Sequence, residues 1–84
     1  MIRGGIRGGA LSAPQAYALG QGLRAVREEQ GLTRGQAADA ADFFPTWISQ
    51  MEGGEIHDLE TLREYAHALG ARITGMRGAR IRRP

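Results

Sequence analysis

The sequence predicts an all-α fold, a small bundle of four to five helices between a flexible N-terminal arm and an extended C-terminal segment. Three observations support this prediction. At 84 residues the chain has room for a single domain. Hydrophobic residues make up 42% of it and include many Ala and Leu, which are good helix formers. The chain has no Cys, so stability has to come from apolar packing, and apolar residues recur at helical spacing between Ser12 and Gly70.

The first helix is predicted between Ser12 and Gly31. Ser12 is a favourable N-cap, Pro14 suits the first turn, and Gly31 supplies a left-handed stop. Gly20 and Gly22 are expected to weaken this helix by up to about 1 kcal/mol each relative to Ala. The apolar positions of its buried face are Leu19, Leu23 and Val26.

Two short helices follow, separated by a tight connection. Thr33 and Gln36 have the spacing of a capping box at the start of the second helix. Asp42 suits the connection because Asp tolerates left-handed geometry. Pro45 fits the first position of the third helix, which ends at Glu52 before Gly53. The small residues of the second helix, which allow close helix packing, are Ala37, Ala38 and Ala41.

A fourth helix is predicted from Asp58, as its cap, to Gly70, as its end. The apolar positions at helical spacing are Leu59, Leu62, Tyr65, Ala66 and Leu69. Residues 71–77 alternate apolar and polar side chains as a short strand would, and Arg80 to Pro84 has the composition of a tail. The predicted organisation is therefore a flexible Arg/Gly arm over 1–11, a helix-turn-helix domain over 12–70, and a basic segment over 71–84 that forms a strand or a dimer contact.

Charge is distributed unevenly along the chain. Residues 1–14 and 71–84 hold seven of the eleven Arg and no acid, whereas residues 15–70 hold four Arg and all nine acids. No apolar run approaches the roughly 20 residues that span a bilayer. His57 and His67 have no partners at metal-ligand spacing, and no nucleophile has an activating context. We therefore expect a cytoplasmic protein that is not an enzyme and holds no metal or cofactor.

Across residues 20–70 the chain resembles the lambda-repressor-like (Cro-type, XRE) helix-turn-helix family of DNA-binding proteins. The matching features are an Arg late in helix one, a Gly-Leu-Thr start to helix two, Ile48 in helix three, the run Met-Glu-Gly-Gly, and Asp-Leu-Glu-Thr-Leu followed by Ala-Leu-Gly. In this family helix three lies in the major groove. The usual fifth helix of the family has no counterpart here, and residues 71–84 take its place.

The resemblance implies a set of DNA-contacting residues. By position, the side chains that face base edges are Pro45, Thr46, Ser49 and Gln50. Of these, Gln50 is the main candidate, because a side-chain amide can pair with adenine N7 and N6. Thr33, Arg34 and Trp47 match positions near the DNA backbone, although Trp47 could instead pack against helix two or a partner subunit. Arg27 and Glu52 match a structural ion pair between helix one and the end of helix three.

Outside the domain, Arg3 and Arg7 lie in an arm that could enter a minor groove. The expected function is a transcriptional regulator, in the first instance a repressor, that binds a pseudo-palindromic double-stranded DNA operator as a homodimer and is nucleoid-associated when bound. Two alternatives remain open at this stage. The stretch from Glu55 to Ile73 also resembles HigA-like antitoxins, which autoregulate their operon and neutralise a ribonuclease toxin. The acidic core could instead suit a protein-interaction module without DNA readout.

Overall fold

Four helices and a C-terminal β-hairpin make up the computed structural model, which describes residues 10–75 and 80–84. The prediction of a mostly helical bundle is confirmed, and a short two-stranded segment follows the fourth helix. None of the helices in these two ranges is long and apolar enough to cross a membrane. In chain order the elements are α1 (Ala13–Glu29), α2 (Arg34–Ala41), α3 (Pro45–Glu52), α4 (Leu59–Ala68), β1 (Arg72–Thr74) and β2 (Arg80–Arg82).

Local sequence signals set most of the helix ends. Ser12 and Thr33 each form a reciprocal capping box with the Gln three residues later. Asp42 takes the left-handed conformation, with φ of 60°. The prediction that Asp58 caps α4 is wrong in one respect. Asp58 occupies the N-cap position, but its side chain makes no capping hydrogen bond and instead accepts one from Thr61 Oγ1 at 2.6 Å.

The core lies where the four helices meet. The amphipathic positions predicted for α1 and α4 are all buried, and Ala37 and Ala38 bring α2 close to its neighbours. A Tyr at position 65 is fully buried among these apolar side chains, so its hydroxyl needs a hydrogen-bond partner inside the protein. The largest side chains with no significant exposure are Tyr65, Leu23, Ile48, Met51, Leu62 and Val26.

Gly20 allows α1 and α3 to pack at very short range. A Cβ at this position would lie 2.1 Å from the carbonyl oxygen of Met51 and 3.0 Å from that of Glu52. Gly22 plays a similar part on another face of α1, because its Cβ would lie 2.9 Å from Cγ1 of Ile81. These two glycines therefore lower the helix propensity of α1 but allow it to pack closely on α3 and on the hairpin.

The prediction that the chain continues as a tail from Arg80 is wrong for Arg80–Arg82, which form a strand. Arg80–Arg82 pairs antiparallel with Arg72–Thr74, with Ile73 opposite Ile81. Ile73 is buried and Ile81 packs against the core, so the apolar contact of these two side chains offsets the cost of ordering the segment. Beyond the strand, Arg83 donates two hydrogen bonds to the carboxylate of Glu29.

The N-terminal boundary also differs from the predicted arm over 1–11. Ala10 forms a β-bridge with Asp58, and the Leu11 amide donates to the carbonyl oxygen of His57 at 2.9 Å. Leu11 also packs against the core, so backbone pairing together with the partial burial of Leu11 fixes these two residues to the loop before α4. Arg3 and Arg7 of the predicted arm, together with residues 76–79, lie outside the described residues.

Replacing Gly20 with Ala tests the close approach of α1 and α3. We expect Gly20→Ala to lower the free energy of unfolding by about 1–3 kcal/mol, because the added methyl group forces two helices apart. Gly35→Ala is the matched control, since a Cβ there meets only Thr33 Oγ1 at 3.8 Å and should stabilise α2 by about 0.4–1 kcal/mol. Urea denaturation followed by circular dichroism measures both, and equal effects of the two variants would contradict the packing argument.

Candidate nucleic-acid interface

The third helix has one face locked into the protein and one face turned outward. Ile48, Met51 and Glu52 are buried, which follows from their spacing on a 3.6-residue period. The opposite side carries the residues predicted to contact bases. Pro45, Thr46 and Ser49 are exposed and Gln50 is half-buried. At eight residues the helix is about 12 Å long, and its exposed side chains along that length are Pro45, Thr46, Trp47 and Ser49.

The start of α2 contributes the other predicted contacts. Thr33 and Arg34 are exposed. Thr33 Oγ1 accepts a hydrogen bond from the Gln36 amide at 3.0 Å, which leaves the hydroxyl hydrogen free to donate. Arg34 has 48% of its side chain exposed while its Nε lies 3.4 Å from Glu52 Oε1. Arg34 is thus oriented by the end of α3 and still open to solvent.

A buried carboxylate connects all four helices beneath this surface. Glu52 Oε2 accepts hydrogen bonds from Arg27 Nε and from the Tyr65 hydroxyl, both at 2.6 Å. Its Oε1 accepts from Arg27 Nη2 at 3.0 Å and faces Arg34. The Glu52 carbonyl oxygen also accepts from Gln21 Nε2 at 2.8 Å. Glu52 of α3 therefore binds side chains of α1, α2 and α4, and it fixes the position of α3 relative to them.

The ionisation of this cluster follows from its contacts. Burial raises the pKa of Glu52, but hydrogen bonds from Arg27 and Tyr65 and the positive charges of Arg27 and Arg34 outweigh burial and leave the pKa below its usual value. The hydrogen bond to Glu52 raises the pKa of Arg27. Burial and the neighbouring carboxylate raise the pKa of Tyr65. At neutral pH the cluster therefore holds an anion, a cation and a neutral phenol.

Three aromatic side chains lie at the junction of α2 and α3. The Trp47 ring packs on that of Phe43, with centroids 5.5 Å apart and planes tilted by 39°. Trp47 remains 44% exposed, so its ring both packs on Phe43 and stays accessible to a ligand. Phe44 is 73% exposed. Phe44 also stands at the N-cap of α3 without a capping hydrogen bond. Phe44 therefore adds an apolar surface at the start of α3. Sequence reasoning did not assign Phe44 to the site.

The arrangement of two short helices and a three-residue connection can be compared with known families. A family model described as a helix-turn-helix domain matches residues 18–77, which is most of the chain and includes α2 and α3. The chain belongs to the helix-turn-helix family. Its lambda-repressor-like (XRE) type, expected from the resemblance, is confirmed by this match and by the solved structures described next.

Solved structures of one regulator share the helix-turn-helix fold of this chain. One, the clp gene regulator ClgR from C. glutamicum, is 32% identical with a TM-score of 0.62, and the match covers 73% of this chain and 77% of that one. A second structure of ClgR from Corynebacterium glutamicum is 36% identical with a TM-score of 0.59, covering 66% of this chain and 60% of that one. No curated protein matches the chain in sequence.

Within this helix-turn-helix domain, sequence reasoning named the outer face of α3 and the start of α2 as candidate contacts, and these residues are exposed or half-buried. It missed two parts of the support beneath them. Tyr65 was predicted only as an apolar position of α4, and Arg34 only as a DNA contact. A Tyr at a buried helical position needs a hydrogen-bond partner. Tyr65 could therefore have been used to predict a polar group in the core. Nothing in the sequence indicated the Arg34 contact with Glu52.

Glu52→Gln tests the buried cluster. Loss of the charge leaves Arg27 buried without an anion, and we expect the free energy of unfolding to fall by about 3–5 kcal/mol at pH 7. The matched control Glu60→Gln breaks an exposed pair with Arg63 and should cost less than about 1 kcal/mol.

The same variant has a defined pH dependence. Because the folded pKa of Glu52 is lowered, its contribution is present above the pKa of the unfolded chain and is lost as pH falls toward the folded value. The difference in free energy of unfolding between wild type and Glu52→Gln should therefore become smaller in acid. Chemical denaturation from pH 7 to pH 3 measures this difference, and a constant difference would show that the Glu52 charge is not what stabilises the junction.

Proposed function

We propose that this protein is a transcriptional regulator that binds double-stranded DNA sequence-specifically, with α3 in the major groove. The observation that carries the proposal is the division of α3 into a buried face, fixed by Glu52, and an outer face that carries exposed Thr46 and Ser49. A helix held rigidly from beneath can present side chains to base edges with a defined register. The family of the chain and its similarity to the gene regulator ClgR support the assignment to gene regulation.

Within the proposed interface, Gln50 is the principal base reader and Pro45, Thr46 and Ser49 line the groove beside it. Gln50 is half-buried, and its side-chain amide has the donor and acceptor for a bidentate pair with adenine. Thr33, Arg34 and Trp47 form the phosphate contacts. Arg34 is suited to contact phosphate because its ion pair with Glu52 joins it directly to the end of α3.

The proposed functional unit is a homodimer on a pseudo-palindromic operator, acting as a repressor by occupying promoter DNA. One short helix offers few base contacts, whereas two half-sites separated by about 34–36 Å double them. Such a protein would act in the cytoplasm on the nucleoid. A toxin partner, as in the antitoxin alternative, would have to use a surface other than α3 if the domain also represses its own operon.

Gln50→Ala tests direct readout. We expect the variant to keep its fold and to lose about 1–3 kcal/mol of preference for the selected site over a scrambled site, because the bidentate contact is removed. Sites are first selected from a random duplex library with the wild-type protein, and affinities are then measured by fluorescence anisotropy. His67→Ala, an exposed polar side chain on α4, is the control and should leave preference unchanged. A chain that selects no site at all would support the interaction-module alternative.

The N-terminal arm yields a separate prediction. If Arg3 and Arg7 contact phosphates, changing both to Gln should reduce the slope of log K against log salt by about 2, since each contact contributes about 0.9. Deleting residues 1–9 should give the same reduction and weaker binding. Titrations between low and physiological salt measure the slope. An unchanged slope in both variants would remove the arm from the interface.

A further inference from the structure

The outer face of the C-terminal hairpin is a cluster of arginines. In an antiparallel pair, residues directly opposite each other share one face of the sheet. Arg72 lies opposite Arg82 and Thr74 lies opposite Arg80. Ile73 and Ile81, the intervening pair, face the core. Arg72, Arg82 and Arg80 are therefore gathered on the solvent side, and all three are exposed.

These arginines differ from the exposed arginines of the helices. Arg24 and Arg63 each form an ion pair with a Glu of the same helix. Arg72, Arg80 and Arg82 form none with any described residue of 10–75 and 80–84. Like charges directly opposite in a sheet are destabilising, so the Arg72 and Arg82 pair is unfavourable without a counter-anion.

A cavity lies against this pair. Its volume is about 350 Å³, and its lining residues, none of which is Asp or Glu, are Gly70, Arg72, Thr74, Arg82, Arg83 and Pro84. Arg83 is held by two hydrogen bonds to Glu29, through Nε and Nη2. The remaining donors are the guanidinium groups of Arg72 and Arg82, the Thr74 hydroxyl and Nη1 of Arg83. Guanidinium groups with a hydroxyl are the donor set that suits a phosphate oxyanion.

The hairpin is also placed apart from the proposed recognition surface. β2 packs against α1 and β1 against α4, whereas α3 packs mainly against α1 and α2. The hairpin therefore packs mainly on helices other than α3. In a DNA-binding family, the polyanion at highest local concentration is DNA itself.

We infer that the outer face of the hairpin, through Arg72 and Arg82, is a second phosphate-binding site that takes the phosphodiester backbone of a further DNA segment. This goes beyond recognition of an operator by α3, since it gives one domain two DNA-binding surfaces and the capacity to bridge two segments. The contact is to backbone phosphate, so it carries no sequence preference. It should weaken steeply with salt.

A bridging assay with the full chain tests this inference. The protein is bound to an immobilised 16-bp duplex, and recruitment of a second, fluorescent 16-bp duplex of unrelated sequence is measured over a range of NaCl concentrations. Arg72→Ala/Arg82→Ala should reduce recruitment at least tenfold at low salt. Arg24→Ala/Arg63→Ala removes the same charge from paired, exposed sites and should stay within twofold of wild type. Thermal melts check that both double variants are folded.

Three results would overturn the inference. Equal recruitment by the two double variants would show a general charge effect. If poly-L-glutamate competed as strongly as duplex at equal total charge, the site would be assigned to acidic polypeptides. A change of oligomeric state in Arg72→Ala/Arg82→Ala, seen by sedimentation, would assign the hairpin to contact with a second copy. The assay does not depend on the proposed operator readout, because any duplex serves as the first one, and a chain without sequence preference can still be tested.

Discussion

The Glu52 carboxylate is the point at which α1, α2, α3 and α4 meet. Its two oxygens receive Arg27 and Tyr65 at hydrogen-bond distance and face Arg34. A buried ion pair of this kind contributes little net stability compared with an apolar core, but it is costly to break because each remaining charge would be buried alone. The cluster therefore acts mainly by selecting one arrangement of the helices, in which the polar face of α3 points outward.

This constraint matters because α3 has little intrinsic stability. An isolated helix of eight residues is marginal in water, and α3 has no side-chain cap at Phe44. Its position comes from contact with neighbours: Ile48 and Met51 in the core, the close approach of α1 at Gly20, and the cluster at Glu52. The exposed residues Thr46 and Ser49 take no part in these core contacts.

Much of the fold was predictable from local chemistry, since the capping boxes at Ser12 and Thr33 and the left-handed residue at Asp42 are encoded within a few residues. The outer face of α3 followed from the same periodicity. The hairpin was only half predicted, because β2 is stabilised by Ile81 against Gly22, a contact between residues 59 positions apart. The role of Arg34 toward Glu52 depends equally on tertiary geometry. Composition alone therefore described Arg80–Arg82 as a tail.

We propose above all that α3, held by the Glu52 cluster, is the surface that meets DNA. The most direct measurement is an amide chemical-shift map of the ¹⁵N-labelled chain during titration with a duplex selected by the protein itself. We expect the largest shifts at the start of α2 and along residues 45–50, with the Arg27 Nε–Hε signal retained throughout. A map in which α3 is unperturbed, while α4 or the hairpin alone responds to the duplex, would contradict this assignment.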